Sequence, residues 1–255
     1  MGKGAALVTG ASSGIGAELA RLCAGDGYDL ILVARRAGRL RELAASLKAS
    51  VRCITADLSD SHAPEAIYED ARGVPIDILI NNAGIAVRGL FAETDWSAQA
   101  SLLQINMVAP AHLTRLFLPD MVRRRSGRIL NVASTAAFVP GPFMATYYAS
   151  KAFLLSFSEA IANELKGTGV TATVLCPGPT RTEFFQAAGI EDSNLLQGGN
   201  VMAAAEVARI GYRAMMQGKA QVIAGARNRW MMRGARLAPR TMLAEVTRRL
   251  NSSGK

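Results

Sequence analysis

At 255 residues, half of them hydrophobic, the chain has material for one sizeable core over residues 1–255 rather than two small ones. Cys23, Cys53 and Cys176 are odd in number and lack CxxC spacing, His62 and His112 stand far apart, and no run reaches the ~18 apolar residues of a membrane span, so a disulfide framework, a structural metal and a transmembrane helix are all disfavoured. The net charge of +9 is uneven: Gly225–Lys255 carries seven Arg and one Lys against Glu245 alone, yet no aromatic-studded basic sheet or recognition helix accompanies it, so no nucleic-acid partner is expected.

In chain order, Ala5–Thr9 is a short apolar run that reads as a buried strand. It is too short for a secretory leader, and Ala6 breaks the myristoylation pattern after Gly2, so a cytoplasmic chain in a reducing compartment is expected. Thr9-Gly10-Ala11-Ser12-Ser13-Gly14-Ile15-Gly16 then leads into Leu19, Leu22 and Cys23 at helical spacing. Strand, glycine turn and helix form a phosphate cradle: the glycines permit close backbone approach, and the helix N-terminus offers free N–H groups to pyrophosphate. The spacing here is GxxxGxG rather than GxGxxG.

Asp29–Ala34 is the second strand, and its end should meet an adenosine ribose. A carboxylate there would bond the 2′-hydroxyl and favour NAD. The sequence instead gives Arg35 and Arg36, with Arg39 one turn on, which suit a 2′-phosphate and point to NADP(H). Val51–Thr55 reads as a third strand, with Asp57 and Leu58 beyond it in reach of an adenine ring. Ile76–Ile80 reads as a fourth, running into Asn81-Asn82-Ala83-Gly84. A long helical stretch, Ser97–Arg124, contains Asn106, with a bend expected at Pro110. Arg128–Val132 is a fifth strand ending in Ala133-Ser134-Thr135.

Tyr147 and Lys151 open a helical run to about Lys166, and four residues apart they share one helical face. A fixed ammonium beside a phenol favours the phenolate, so the pair is a candidate proton-transfer device. Val170–Leu175 is a sixth strand, ending in Cys176-Pro177-Gly178-Pro179-Thr180-Arg181-Thr182. Ala203–Gln217 reads as a helix and Ala220–Ala224 as a short last strand. Strands alternating with helices, with no repeat and no second domain, predict an α/β fold: a doubly wound parallel sheet (Rossmann fold) of about seven strands with helices on both faces. Ligands of such sheets bind beyond the carboxyl ends of the strands, where the glycine turn, Arg35, Asn81, Ser134 and Pro177 all fall.

With TGASSGIG, NNAG, Ser134, YxxxK and PGPTRT in this order, the chain resembles the short-chain dehydrogenase/reductase family over roughly Lys3–Ala224. The resemblance implies a single-domain oxidoreductase working between NADP(H) and a carbonyl or alcohol. It implies Tyr147 as general acid/base, Lys151 as the residue that lowers the tyrosine pKa and bonds the nicotinamide ribose, Ser134 as the holder of the substrate oxygen, and Asn106 as the support of a water behind Lys151. Cofactor contacts are expected from Gly10, Ser12, Ser13, Gly14, Ile15 and Gly16; from Arg35, Arg36, Asp57 and Leu58; from Asn82, Ala83 and Gly84; and from Tyr147, Lys151, Pro177, Gly178, Thr180 and Thr182.

Tyr148 competes with Tyr147 but lacks the four-residue spacing to Lys151. Ser126, Thr135 and Thr146 compete with Ser134, and Thr180 with Thr182 for the carboxamide. The substrate pocket is expected from Ile85–Leu90, Ala136–Thr146 and Glu183–Met202, whose Phe138, Val139, Phe143, Met144, Phe184, Phe185, Leu195 and Leu196 suggest a hydrophobic ketone or aldehyde. The main alternatives are an alcohol dehydrogenase working oxidatively and a non-catalytic NADP sensor on the same fold. Residues 225–255 form a basic amphipathic extension, split by Pro239. It has three readings: a cap on its own subunit's pocket, a subunit contact, or a peripheral membrane surface. A homodimer is expected, with a homotetramer as the alternative.

Overall fold

The computed structural model describes residues 4–190, 194, 201–235 and 237–252; Leu195 and Leu196 lie outside the described residues. Seven strands form one parallel sheet in the order β3-β2-β1-β4-β5-β6-β9. They are β1 (Ala5–Thr9), β2 (Asp29–Ala34), β3 (Val51–Thr55), β4 (Ile76–Asn81), β5 (Gly127–Val132), β6 (Val170–Cys176) and β9 (Gln221–Ile223). The order reverses between β1 and β4, which opens a crevice at their carboxyl ends, the usual ligand site of such sheets.

Both faces of the sheet are covered, so the central strands read as near-continuous apolar runs rather than strict alternation. On β1, Ala6 and Val8 pack with Leu30 and Leu32 of β2 on one face. Leu19, Ala20 and Cys23 of α1 (Gly14–Gly25) close that face with Val207, Ala208 and Met215 of α8 (Ala204–Met216). Ala5 and Leu7 point the other way, with Ile31 and Val33, against Ile67 of α3 (Ala63–Asp70) and Leu113, Phe117 and Met121 of α5 (Ala109–Arg124). The helix α6 (Ala145–Glu164) completes this second face, with Leu154 and Leu155 packed on Val174 and Cys176. The short α2 (Ala37–Ala45) packs Leu40 and Leu43 into the first layer.

The stretch expected as one bent helix from Ser97 to Arg124 is instead α4 (Trp96–Leu103), a π-helical turn (Gln104–Val108) and α5. Pro110 follows that turn closely, and the backbone on its N-terminal side is already helical (Val108 φ −70°, ψ −50°), so the run from Trp96 to Arg124 stays helical through it. The wider π turn makes the irregularity, and it carries the buried Asn106.

A second, two-stranded sheet pairs β7 (Thr180–Arg181) with β8 (Met202–Ala203), and the short α7 (Phe184–Ala187) follows β7. The C-terminal extension forms two helices, α9 (Ala226–Ala235) and α10 (Arg240–Asn251). No helix among the described residues is long and apolar enough to cross a membrane.

Candidate active site

One cleft of about 910 Å³ opens at the carboxyl ends of the strands. Its floor at the switch point is pinned by two side chains. Thr9 Oγ1 accepts the backbone N–H groups of Asn82 (3.0 Å) and Ala83 (3.2 Å). Asn82 Nδ2 donates back to the carbonyls of Thr9 (3.0 Å) and Gly10 (3.1 Å). The glycine turn is thereby bolted to the end of β4. A Cβ on Gly16 would collide with Asn82 Nδ2 and with the Gly10 carbonyl, and Gly10 and Gly14 hold φ of +64° and +57°. Only glycine satisfies both demands.

Ser13 sits at the N-cap of α1 in extended backbone with no side-chain capping bond, so the first N–H groups of the helix have no intrahelical partner. Gly10, Ser12, Ser13, Gly14 and Ile15 line the cleft. Gly16 lies one layer behind it, shaping the turn rather than facing the ligand. A turn whose three glycine positions have no room for a Cβ, and which ends in free N–H groups, fits the pyrophosphate of a dinucleotide.

At the end of β2, Arg35 and Arg36 both line the cleft but differ in setting. Arg36 arches over the turn, donating to Ser12 Oγ (3.0 Å), Ser13 Oγ (2.9 Å) and Glu183 Oε2 (2.7 Å). That bond holds the Glu183 carboxyl below its usual range. Arg35 is more exposed and stands 3.8 Å from Asp57. Burial works to raise the Asp57 carboxyl, but its bonds from Ser59 and the Arg35 charge outweigh it and hold it low. Glu183 went unrecognised in the sequence: 147 residues from Arg36, it has no local pattern that announces the pair. Leu58, Ala83 and Gly84 line the wall between these arginines and the far end.

That far end holds Tyr147, Ser134 and Lys151, all lining the same cleft. Ser134 lies two residues past β5 in extended backbone, and its Oγ accepts the Ala136 N–H at 3.1 Å. Its hydroxyl donates to the Pro177 carbonyl (3.5 Å). Burial pushes the Tyr147 phenol up, and this outweighs the downward pull of the neighbouring Ser134 hydroxyl. Lys151 Nζ donates to the Val132 carbonyl (3.0 Å) and lies 5.8 Å from the Tyr147 ring centroid. Helical spacing alone suggests an ammonium that draws the phenol down; in the fold desolvation wins. The same desolvation brings Lys151 down to about 8, opposed by Cys176.

Asn106 is not in the cleft wall. It clamps Ile85 through both backbone groups, accepting its N–H (3.0 Å) and donating to its carbonyl (2.9 Å), and donates to Ser150 Oγ (3.0 Å). A Cβ on Gly84 would touch both Lys151 Nζ (3.2 Å) and Asn106 Oδ1 (3.4 Å), so the asparagine lies close behind the lysine. Pro177, Gly178, Thr180 and Thr182 line the opposite wall. Thr180 Oγ1 donates to the Gly178 carbonyl (2.9 Å), while the Thr182 methyl lies beside Gly14 and its Oγ1 donates to the Thr180 carbonyl (3.3 Å) and accepts the Phe184 N–H (3.3 Å).

The remaining lining is mainly apolar, with Ile85, Val87, Met144, Phe184, Phe185 and Ile190 beside Arg88 and Thr135. The Phe184 ring lies 5.6 Å from that of Tyr147. Phe138, expected in the pocket, packs against α6 and β6 instead, and Phe143 lies under the Arg248 guanidinium at 5.0 Å. Phe143 holds φ of +66°, a strained backbone for a bulky residue.

The helix α10 keeps this loop in place. Thr247 Oγ1 donates to the Pro140 carbonyl, and Asn251 Nδ2 donates to the Pro142 carbonyl (2.9 Å). Asn251 Oδ1 accepts the Tyr148 hydroxyl (3.0 Å). Asn194 adds a second attachment, donating its backbone N–H to Ser252 and its Nδ2 to Arg249. Tyr148 is thus a packing residue with a hydrogen-bonded tip. The extension's inner face docks on its own chain.

A family model described as short chain dehydrogenase matches residues 4–192. A ketoacyl reductase, HetN, of a Nostoc species is 39% identical over 177 residues, 68% of this chain and 62% of that protein. A very-long-chain 3-oxoacyl-CoA reductase of Phaeosphaeria nodorum is 38% identical over 65% of this chain and 51% of its own length. The chain therefore spans less than two thirds of these two relatives. A short-chain dehydrogenase from Sphingobium yanoikuyae, solved in complex with NADPH, is 33% identical with a TM-score of 0.82, covering 92% of this chain and 94% of that one.

Proposed function

The chain belongs to the short-chain dehydrogenase family, oxidoreductases that act on carbonyl or alcohol groups with a nicotinamide cofactor, and on that premise we propose that it is an NADPH-dependent reductase of a hydrophobic ketone or aldehyde. The observation that carries this reading is the run of one cleft from the glycine turn and Arg36 at one end to Ser134, Tyr147 and Lys151 at the other. The bound dinucleotide supplies the hydride. Ser134 and Tyr147 donate hydrogen bonds to the carbonyl oxygen as negative charge develops there, and Tyr147 releases its proton to it. Lys151 stabilises the phenolate left behind, and Asn106 holds the wall beside it. Thr182 would hold the carboxamide of the cofactor, and Asp57 and Leu58 would flank its adenine.

The preference for NADPH rests on Arg35 and Arg36. Arg36, with the hydroxyls of Ser12 and Ser13 beside it, would hold a 2′-phosphate in place of its present bond to Glu183. The apolar wall supports a substrate with an extended hydrocarbon part, and the two reductases of oxoacyl groups among the relatives make 3-oxoacyl thioesters the first class to try.

The test is oxidation of NADPH and, in parallel, NADH by the purified chain across aldehydes, steroid ketones and 3-oxoacyl thioesters. Turnover with NADPH on one hydrophobic class is expected. Arg36→Ala should raise the KM for NADPH by roughly tenfold or more and leave that for NADH nearly unchanged. Equal use of both dinucleotides by the native protein contradicts the arginine reading; tight NADPH binding without turnover on any carbonyl contradicts the reductase.

A further inference from the structure

The inner faces of α9 and α10 are occupied, but their outer faces carry an unusual surface. Asn228, Met232 and Ala235 bury one side of α9, and Thr247 and Asn251 one side of α10. Directly opposite, Trp230 is 71% exposed, and Leu237, in the turn between the helices, is 90% exposed. Met231, Met242 and Val246 are also exposed, the last two one turn apart on one flank of α10. Five large apolar side chains within seventeen residues are left to solvent. Scattered exposed hydrophobics need no explanation, but a cluster does.

The charge around this cluster has one sign. Arg227, Arg229, Arg233, Arg240, Arg248 and Arg249 are all exposed, and Glu245 is the sole acidic residue of the segment. Glu245 pairs with Arg249 at 3.3 Å. The Arg233 guanidinium lies 5.4 Å from the Trp230 ring centroid, within cation–π range. Beside the start of α10 lies an apolar recess of about 380 Å³, with Val139, Pro140, Ala149 and Ala152 in its walls. Arg240 is the one charged side chain that lines it.

We propose that the outer face of α9 and α10 docks on an anionic lipid membrane. The match is one of chemistry. Trp, Leu and Met enter the boundary between headgroups and acyl chains, while a ring of guanidinium groups meets lipid phosphates. A second copy of this chain would bring two arginine clusters together, which opposes self-association through the same face. The helices lie along the surface and do not cross it, consistent with their length. The inner contacts of α10 with Pro140 and Pro142 connect this face to the loop between Ser134 and Tyr147, so docking brings the cleft wall close to the lipid phase.

Sedimentation of the full chain with vesicles tests this, and it needs no substrate. At low salt the protein should pellet with equimolar phosphatidylcholine and phosphatidylglycerol vesicles and stay in solution with phosphatidylcholine alone. Binding should weaken as sodium chloride is raised. The double variant Trp230→Ser, Leu237→Ser alters exposed side chains only, so folding is preserved, and it should bind roughly tenfold less. Arg227→Glu with Arg229→Glu should abolish binding. Absence of binding to anionic vesicles at low salt overturns the proposal. So does binding that survives loss of Trp230 and Leu237, which would be charge attraction alone. A shift to higher mass that these variants reverse, without vesicle binding, assigns the face to a protein contact instead and also overturns it.

Discussion

Tyr147 and Lys151 lie one helical turn apart, yet burial moves their protons in opposite directions: up for the phenol, and from 10.5 to about 8 for the ammonium. Lys151 is fully charged well below that value and loses its charge as pH rises through it, whereas the unfolded chain keeps the charge to about pH 10.4. Tyr147 holds its proton throughout this window. The kcat/KM for reduction is therefore expected to be level below about pH 8 and to decline above it, as the group that stabilises the phenolate is neutralised. A profile level to about pH 10 contradicts this assignment. The linked effect on folding has the opposite sign: between about 8 and 10.4 the unfolded chain binds the extra proton, so stability contributed by this group rises with pH. The Tyr147–Lys151 pair is legible in the sequence because helical spacing is a local property. Its desolvation is not, because the covering groups, such as Phe184 and Ser134, come from other elements.

The glycine turn, α6 and α10 carry the site, and each was legible to a different degree. The turn could be read because its glycines are required by φ and by close approach to the β4 end. Gly16→Ala should abolish NADPH binding, as read by cofactor fluorescence, because its methyl would displace Asn82 Nδ2 and the Gly10 carbonyl. Unchanged affinity would show that the turn has room. The π turn around Asn106 was hidden, since Pro110 offered a simpler cause for a break. The attachment of α10 was hidden as well: Asn251 lies 103 residues from Tyr148, and nothing local singles it out. Asn251→Ala leaves the Tyr148 hydroxyl and the Pro142 carbonyl without partners, at a cost of about 1–3 kcal/mol. A lower thermal midpoint and a several-fold higher substrate KM are expected, with NADPH affinity unchanged. Tyr148→Phe combined with it should add less than its separate effect, because the two share one hydrogen bond. Full additivity would deny the coupling.

Across the whole molecule, the parallel sheet and its order of helices followed from alternating apolar runs, because a sheet covered on both faces leaves uninterrupted hydrophobic strands. Strand ends were placed to within a residue or two. The small β7–β8 sheet escaped notice, since two-residue strands leave no periodic signal. The outer face of α6 presents Ala145, Ala149, Ala152 and Ser156 to solvent at helical spacing, and Val108 is exposed on the neighbouring π turn. Small side chains let two helices approach closely, and we propose a homodimer through this surface. Light scattering should give about twice the 27.0 kDa of the chain, and Ala149→Arg should return it to the single-chain mass. A native protein of single-chain mass contradicts the dimer.

The most direct test of the chemistry compares the native protein with Tyr147→Phe in NADPH oxidation on the best carbonyl substrate, with NADPH affinity measured alongside. The expected result is a loss of about 10²–10⁴ in turnover with cofactor binding retained, since only the proton donor is removed. Near-native turnover by the variant would mean that the proton comes from elsewhere, and the assignment of Tyr147, and of Lys151 with it, would fall.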